Sequence, residues 1–172
     1  DDLEWGEEGI FDVDAYFAEM QELQKEYAGK LNIRIGIELG LRTYLKEYYE
    51  ELMKKYPFDF IIGSLHASNY MDFAMPDFSD GKTQDEYYDN YFSWGINCVK
   101  KNFRYSVLGH LDYIIRYGGY DNKNLNMDRH RDSISEILRT LISKGKGIEI
   151  NTAGLRYNLG HVHPKKEILQ LY

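Results

Sequence analysis

The 172-residue chain is 43% hydrophobic and 28% charged, enough apolar material for one sizeable core and too little for two large domains. Its net charge of −7 argues against tracking a nucleic-acid backbone, a task done by Lys and Arg neutralising phosphates, although one local Arg or metal ion is enough to hold a small anionic substrate. No apolar run approaches the ~20 residues of a membrane span, no secretory leader precedes the first helical pattern, and the single cysteine, Cys98, allows neither an internal disulfide nor a thiolate zinc cluster, which together point to a reducing, cytoplasmic setting.

The chain opens on Asp1-Asp2-Leu3-Glu4-Trp5-Gly6, polar loop material without a starting strand. After a cap at Asp12, the spacing of Val13, Tyr16, Phe17, Met20 and Leu23 predicts a first helix. A β-prone run follows from Ile33 to Leu39, then a second helical pattern on Leu45, Tyr48, Tyr49, Leu52 and Met53, then a second β-prone run from Phe58 to Leu65. The segment from Ala67 to Asp80, with Asn69, Tyr70, Asp72 and Phe73, is long for a strand-to-helix connection and suits a cover over a pocket. Thr83-Gln84-Asp85-Glu86 reads as a capping box, and Tyr88, Tyr91, Phe92, Ile96 and Val99 carry the helix after it, with Cys98 as a small buried apolar residue. Tyr105 to Leu111 is a third β-prone run. A fourth helix starts after Asn126 or Asp128, carries Ile134, Ile137, Leu138, Leu141 and Ile142, and stops at Gly145. Gly147 to Asn151 is the last β-prone run, and a further helix starts after Pro164.

These β-prone runs are apolar on both alternating faces, as a parallel strand covered by helices requires. Strict alternation of helix and strand gives an α/β fold with a parallel sheet, either doubly wound or a barrel. Four strands cannot close a barrel. The expectation is one folding unit over residues 1–172 that is either a piece of a longer protein or completed by strands from elsewhere.

In such folds the active site lies at the carboxyl ends of the strands. Glu38, His66 and His110 each close a predicted strand, in a chain with only 5 His. Taken singly, Glu38 could be a paired buried acid and either histidine a satisfied core residue; their shared position at three successive strand ends favours a metal site. Two imidazoles and a carboxylate suit Zn²⁺, Mn²⁺ or Fe²⁺, and ions so placed support hydrolysis. Asp112 either orients His110 or caps the following loop, with the structural role favoured. Glu149 and Asn151 reach the same rim, as support for the ligands, as a substrate contact or as sheet-end hydrogen-bonding groups. His161-Val162-His163 sits before Pro164 in a loop context and reads as a loop pair. His130, between Arg129 and Arg131 in the first turn of a helix, is expected to face solvent.

The stretches RIGIELGLR, FDFIIGSLHASNYMDFAMPDF, SVLGHLDYIIRYG and GIEINTAGLR resemble PHP-domain proteins, and among their branches the histidinol phosphatases, from about Ile33 to Tyr172. The resemblance implies a distorted (β/α)7, TIM-like barrel, incomplete in this chain. It implies two or three divalent metal ions (Zn, Mn or Fe) and hydrolysis of a small phosphate ester, L-histidinol phosphate, to L-histidinol and phosphate. By motif, Glu38 is similar to the family's bridging glutamate and His66 and His110 to two histidines that share an ion with it, which makes these three the catalytic candidates. Arg156, in NTAGLR, matches a residue suited to holding the substrate phosphate, its alternative being a surface loop arginine. The family's opening His-x-His, the histidines after it and a late Asp-x-His have no counterpart here, so this chain alone is expected to keep one ion site and to be inactive. The competing readings are a phosphoesterase of the same superfamily acting on another substrate, and a non-catalytic α/β module in which the three residues do not converge.

Overall fold

Asp12 begins the first helix, its carboxylate accepting the Ala15 N–H at 2.9 Å, and α1 runs Val13–Glu26. The computed structural model describes residues 12–68 and 71–172; the opening polar stretch and the pair Asn69 and Tyr70 lie outside the described residues. β1 spans Gly36–Gly40, shorter than the predicted run because the Ile35 N–H is taken by the Asp59 carboxylate at 2.8 Å. α2 follows over Lys46–Lys55 and β2 over Phe60–Ser64. A Cβ on Gly36 would stand 2.9 Å from the Phe60 carbonyl oxygen, so this close pairing of neighbouring strands needs glycine.

The segment predicted as a covering loop has structure of its own. β3 (Ala67–Ser68) pairs antiparallel with β4 (Met71–Asp72), and a single turn, α3 (Pro76–Ser79), leads on. The capping box is present: the Glu86 N–H donates to Thr83 Oγ1 at 3.3 Å, while the Thr83 N–H donates to Glu86 Oε2 at 2.9 Å. These bonds satisfy donors that the first turn leaves open, and α4 runs Gln84–Lys100.

β5 (Val107–Leu108) is followed, past His110, by a 3₁₀ turn at Tyr113–Arg116. α5 covers Met127–Ser143, capped by Asn126 rather than Asp128, and the left-handed Gly145 lies just beyond its end. β6 is Gly147–Ile148, α6 is Ala153–Arg156 and α7, after Pro164, is Lys166–Leu171.

β1, β2, β5 and β6 form one parallel sheet in that order. Its ladder continues past the strands as drawn, through Gly109 N–H to Gly63 O and Glu149 N–H to Leu108 O, both at 2.9 Å. Among the described residues the sheet does not close on itself.

Aromatic residues fill the space between sheet and helices. Tyr87, Tyr88, Tyr91 and Phe92 of α4 are fully buried against Ile134, Ile137 and Leu141 of α5. Buried tyrosines need partners for their hydroxyls, and Tyr87 and Tyr91 donate to the carbonyls of Phe73 at 2.6 Å and Leu111 at 3.0 Å. Cys98 is wholly buried, as expected.

His130 corrects the sequence reading. It is 1% exposed, packed on the rings of Tyr88 and Phe92. It lies four and seven positions before Ile134 and Ile137, on the helix stripe that faces the core, and that periodicity outweighs its two arginine neighbours.

Candidate metal centre

Three strand ends meet at one corner of the sheet. Glu38 lies in β1 opposite Ile62 of β2, His66 is two residues past the end of β2, and His110 is two residues past β5. Because β2 lies between β1 and β5, parallel register carries all three side chains to the same rim. Glu38 Oε1 is 3.1 Å from His110 Nε2 and 3.3 Å from His66 Nε2. Their donor atoms all fall within 4.8 Å of one another. The imidazoles stack at 15° with centroids 5.3 Å apart, and the Tyr113 ring leans on both, 5.2 Å from His66 and 4.8 Å from His110.

The donor set fits a divalent ion. First-row ions take imidazole nitrogen and carboxylate oxygen at about 2.1 Å, which sets adjacent ligand atoms about 3.0–3.4 Å apart for angles between about 90° and 110°. The two N···O separations observed lie in that range. Both histidines direct Nε2, the atom a metal would use, toward the same carboxylate oxygen.

The surroundings hold Glu38 ionised. His110 first, then His66, and to a smaller degree the Ser64 hydroxyl keep its carboxyl well below the usual carboxylate range, against the opposing effect of burial. Ser64, fully buried, donates to Glu38 Oε1 at 2.6 Å. A carboxylate kept charged beside two imidazoles is what a cation site requires.

His110 is fixed from its backbone. Its φ is +21°, unusual for a residue with a Cβ, and its N–H donates to Glu149 Oε2 at 3.0 Å. Glu149 thus makes a sheet-end hydrogen bond that also supports a candidate ligand, so two of the roles the sequence left open meet in one contact. Gly109 makes the close approach possible: a Cβ there would lie 2.8 Å from Ile62 Cγ2 and 2.9 Å from Ser64 Oγ. Asp112 is fully buried and bonds His163 and the Lys165 N–H rather than the His110 ring. Asn151 pairs with His163 in an antiparallel bridge. The His161–His163 pair thus joins no metal-competent cluster among the described residues.

Arg156 is exposed, at the end of α6. Arg116, passed over in the sequence, stacks on Tyr113, the ring that leans on both histidines. Its guanidinium is 5.2 Å from the centroids of Tyr113 and Tyr117 and 3.6 Å from that of Tyr157. It pairs with no carboxylate among the described residues. The available signal was its place, six residues after His110 on the turn that leaves the site.

Residues 6–153 match the family model for the PHP domain. The chain belongs to the PHP domain family. Among similar proteins, the histidinol-phosphatase of Lactococcus lactis is 36% identical over 138 residues, which is 80% of this chain and 51% of the relative. A probable histidinol-phosphatase of Clostridium acetobutylicum is 29% identical over 148 residues, 86% of this chain and 56% of the relative. The crystal structure of the L. lactis histidinol phosphate phosphatase, complexed with Zn, L-histidinol and phosphate, superposes with a TM-score of 0.78 at 35% identity, over 83% of this chain and 55% of that one. This PHP chain therefore spans about half the length of the curated relatives it matches, and its open parallel sheet is part of a TIM-like (β/α) fold.

Proposed function

We propose that residues 1–172 form one unit of a metal-dependent phosphomonoesterase that hydrolyses L-histidinol phosphate to L-histidinol and phosphate, a reaction of histidine biosynthesis. The observation that carries this reading is the convergence of Glu38, His66 and His110 on one point; a module that binds no ion would have no reason to bring them together. The likeness to a phosphatase solved with Zn, L-histidinol and phosphate supports both the ion and the substrate. The net charge of −7 favours a small ester over nucleic acid.

In this reading Glu38, His66 and His110 hold the ion. The chemistry such an ion supplies is Lewis acidity toward water and a phosphoryl oxygen. The chain's own groups do the rest. Ser64 and the imidazoles keep Glu38 anionic and aimed, and Glu149 fixes the His110 backbone. Tyr113 packs against both rings and limits their rotation. Arg116, which stacks on Tyr113 and has no carboxylate partner among the described residues, is the cation this reading favours over Arg156 for drawing a phosphate toward the rim, where a planar fork suits its oxygens.

The test is phosphate release from L-histidinol phosphate by the full-length protein carrying this sequence, with and without a chelator, and with His66→Ala. Turnover that both treatments leave untouched would overturn the reading. Loss with each, and return on adding Zn²⁺ or Mn²⁺ to the wild type, is the result expected.

A further inference from the structure

The motif His161-Val162-His163 has no part in the metal cluster, yet one of its members sits in a place the chemistry above leaves unexplained. His163 is 1% exposed and Asp112 is 0% exposed, and their side chains meet at 2.5 Å, Nδ1 against Oδ1. The other oxygen of Asp112 accepts the Lys165 N–H at 2.8 Å. A buried carboxylate is stable only when its oxygens are occupied in this manner. His163 is also tied through its backbone, exchanging N–H···O bonds with Asn151 at 2.6 and 2.8 Å. The Asn151 amide donates to Glu149 at 3.2 and 3.3 Å, and Glu149 accepts the His110 N–H.

These contacts form a closed circuit. One arm leaves the nitrogen of His110 through Glu149 and Asn151 to the backbone of His163; the other leaves its carbonyl side through Leu111 and Asp112 to the ring of His163. His110 lies between the arms with φ at +21°. Such a backbone persists where its surroundings over-determine it. Glu149 holds the N–H side and the Tyr113 N–H, donating to the His110 carbonyl at 2.7 Å, closes the turn that follows; Asp112, inside that turn, is where it is tied to His163.

We infer that Asp112 and His163 are a positioning pair for the metal site: by closing the circuit, the His163 Nδ1–H bond to Asp112 holds the His110 backbone in the conformation that brings Nε2 to within 3.1 Å of Glu38. The inference rests on the reading of Glu38, His66 and His110 as metal ligands. It assigns to the HVHP segment a role that neither its loop position nor its histidine spacing announces. His163 touches neither ion nor substrate. It acts through His110.

The test is a Co²⁺ titration of the full-length protein, following affinity and the visible d–d bands, which report ligand geometry directly. His163→Leu removes the donor. His163→Asn keeps an N–H about where Nδ1 stands. Removing an outer partner of a ligand typically costs about 10–100-fold in metal affinity. His163→Leu is therefore expected to weaken Co²⁺ by about that factor and to shift the bands, while His163→Asn recovers affinity to within a few-fold and restores the wild-type spectrum. Should His163→Leu fail to fold because Asp112 is left as a buried unpaired charge, the double variant Asp112→Asn/His163→Leu removes that charge and keeps an oxygen for the Lys165 N–H; it is expected to show the same weakened, shifted spectrum. A folded His163→Leu or double variant with wild-type affinity and bands would overturn the positioning role. So would a folded His163→Asn as damaged as His163→Leu. A wild type that takes up no Co²⁺, or keeps its affinity when His66 is replaced by Ala, would instead overturn the metal reading, and the inference with it.

Discussion

Glu38 Oε1 and His110 Nε2 lie 3.1 Å apart across 72 positions of sequence. The pairing follows from strand order, because two crossovers of parallel chain return each strand end to the same rim as the last. Ser64, which closes the strand between them, donates to that same oxygen at 2.6 Å. Glu38→Gln removes the charge on which both imidazoles converge and is expected to abolish measurable Zn²⁺ or Mn²⁺ binding. Ser64→Ala removes only a supporting bond and is expected to weaken it by about 10–100-fold. Competition titration with a chromophoric chelator ranks the two, and equal affinities for both variants and the wild type would mean that the ion sits elsewhere.

Gly109 offers a separate handle on the same geometry. A methyl there meets Ile62 Cγ2 at 2.8 Å and Ser64 Oγ at 2.9 Å, so either the strand shifts or Ser64 turns away from Glu38. Overpacking of this kind costs about 1–3 kcal/mol. Gly109→Ala is expected to lower the thermal midpoint and to weaken metal binding together, as read by calorimetry and titration on one preparation. An unchanged midpoint would show that the rim relaxes freely.

Much of this was legible in the sequence. The capping residues at Asp12 and Thr83 and the apolar stripes of α4 and α5 mark their own helices, because caps and periodicity are local properties. Glu38, His66 and His110 could be grouped because a parallel sheet turns strand ends into neighbours. His130 was legible only through its phase relative to Ile134 and Ile137, a signal masked by its charged neighbours Arg129 and Arg131. The Asp112–His163 contact was not legible, because it joins a turn to a loop about fifty residues later with no periodic signal at either end. Arg116 was missed for a related reason, since its setting among Tyr113, Tyr117 and Tyr157 depends on how a short turn folds back over the rim.

His130 sets a pH dependence. Burial pushes its imidazole below the usual histidine range, outweighing the carboxylates of Asp89 and Asp85 at 3.2 and 3.6 Å, with Arg129 acting in the same direction as burial. A base whose folded pKa is depressed binds its proton more readily when unfolded. Stability is therefore complete above the unfolded value of about 6.5, falls as pH drops through that value, and levels off below the folded one. His130→Phe keeps a ring against Tyr88 and Phe92 and is expected to flatten the urea-unfolding free energy between about pH 7 and 5 relative to the wild type. A wild-type slope retained in the variant would assign the effect to another group.

Arg116 and Arg156 can be separated by kinetics. Arg116 sits behind Tyr113, whose ring contacts both candidate histidine ligands, and it lacks a carboxylate partner among the described residues. Arg156 is solvent-exposed, and its neighbour Tyr157 stacks on Arg116 rather than leaving that face open. A guanidinium that binds the phosphate contributes to substrate and transition state alike, so its loss raises KM more than it lowers kcat. Arg116→Ala in the full-length protein is expected to raise KM for L-histidinol phosphate at least about tenfold, in keeping with a charge-assisted hydrogen bond worth about 1.5–3 kcal/mol. Arg116→Lys should recover only part of this, because an ammonium keeps the charge and loses the fork. Arg156→Ala is expected to change KM by less than about threefold, the scale of an exposed surface charge. The reverse ranking would return the phosphate to Arg156, as its motif suggested, and would leave Arg116 as a cation that serves to hold Tyr113 and Tyr157 against the turn.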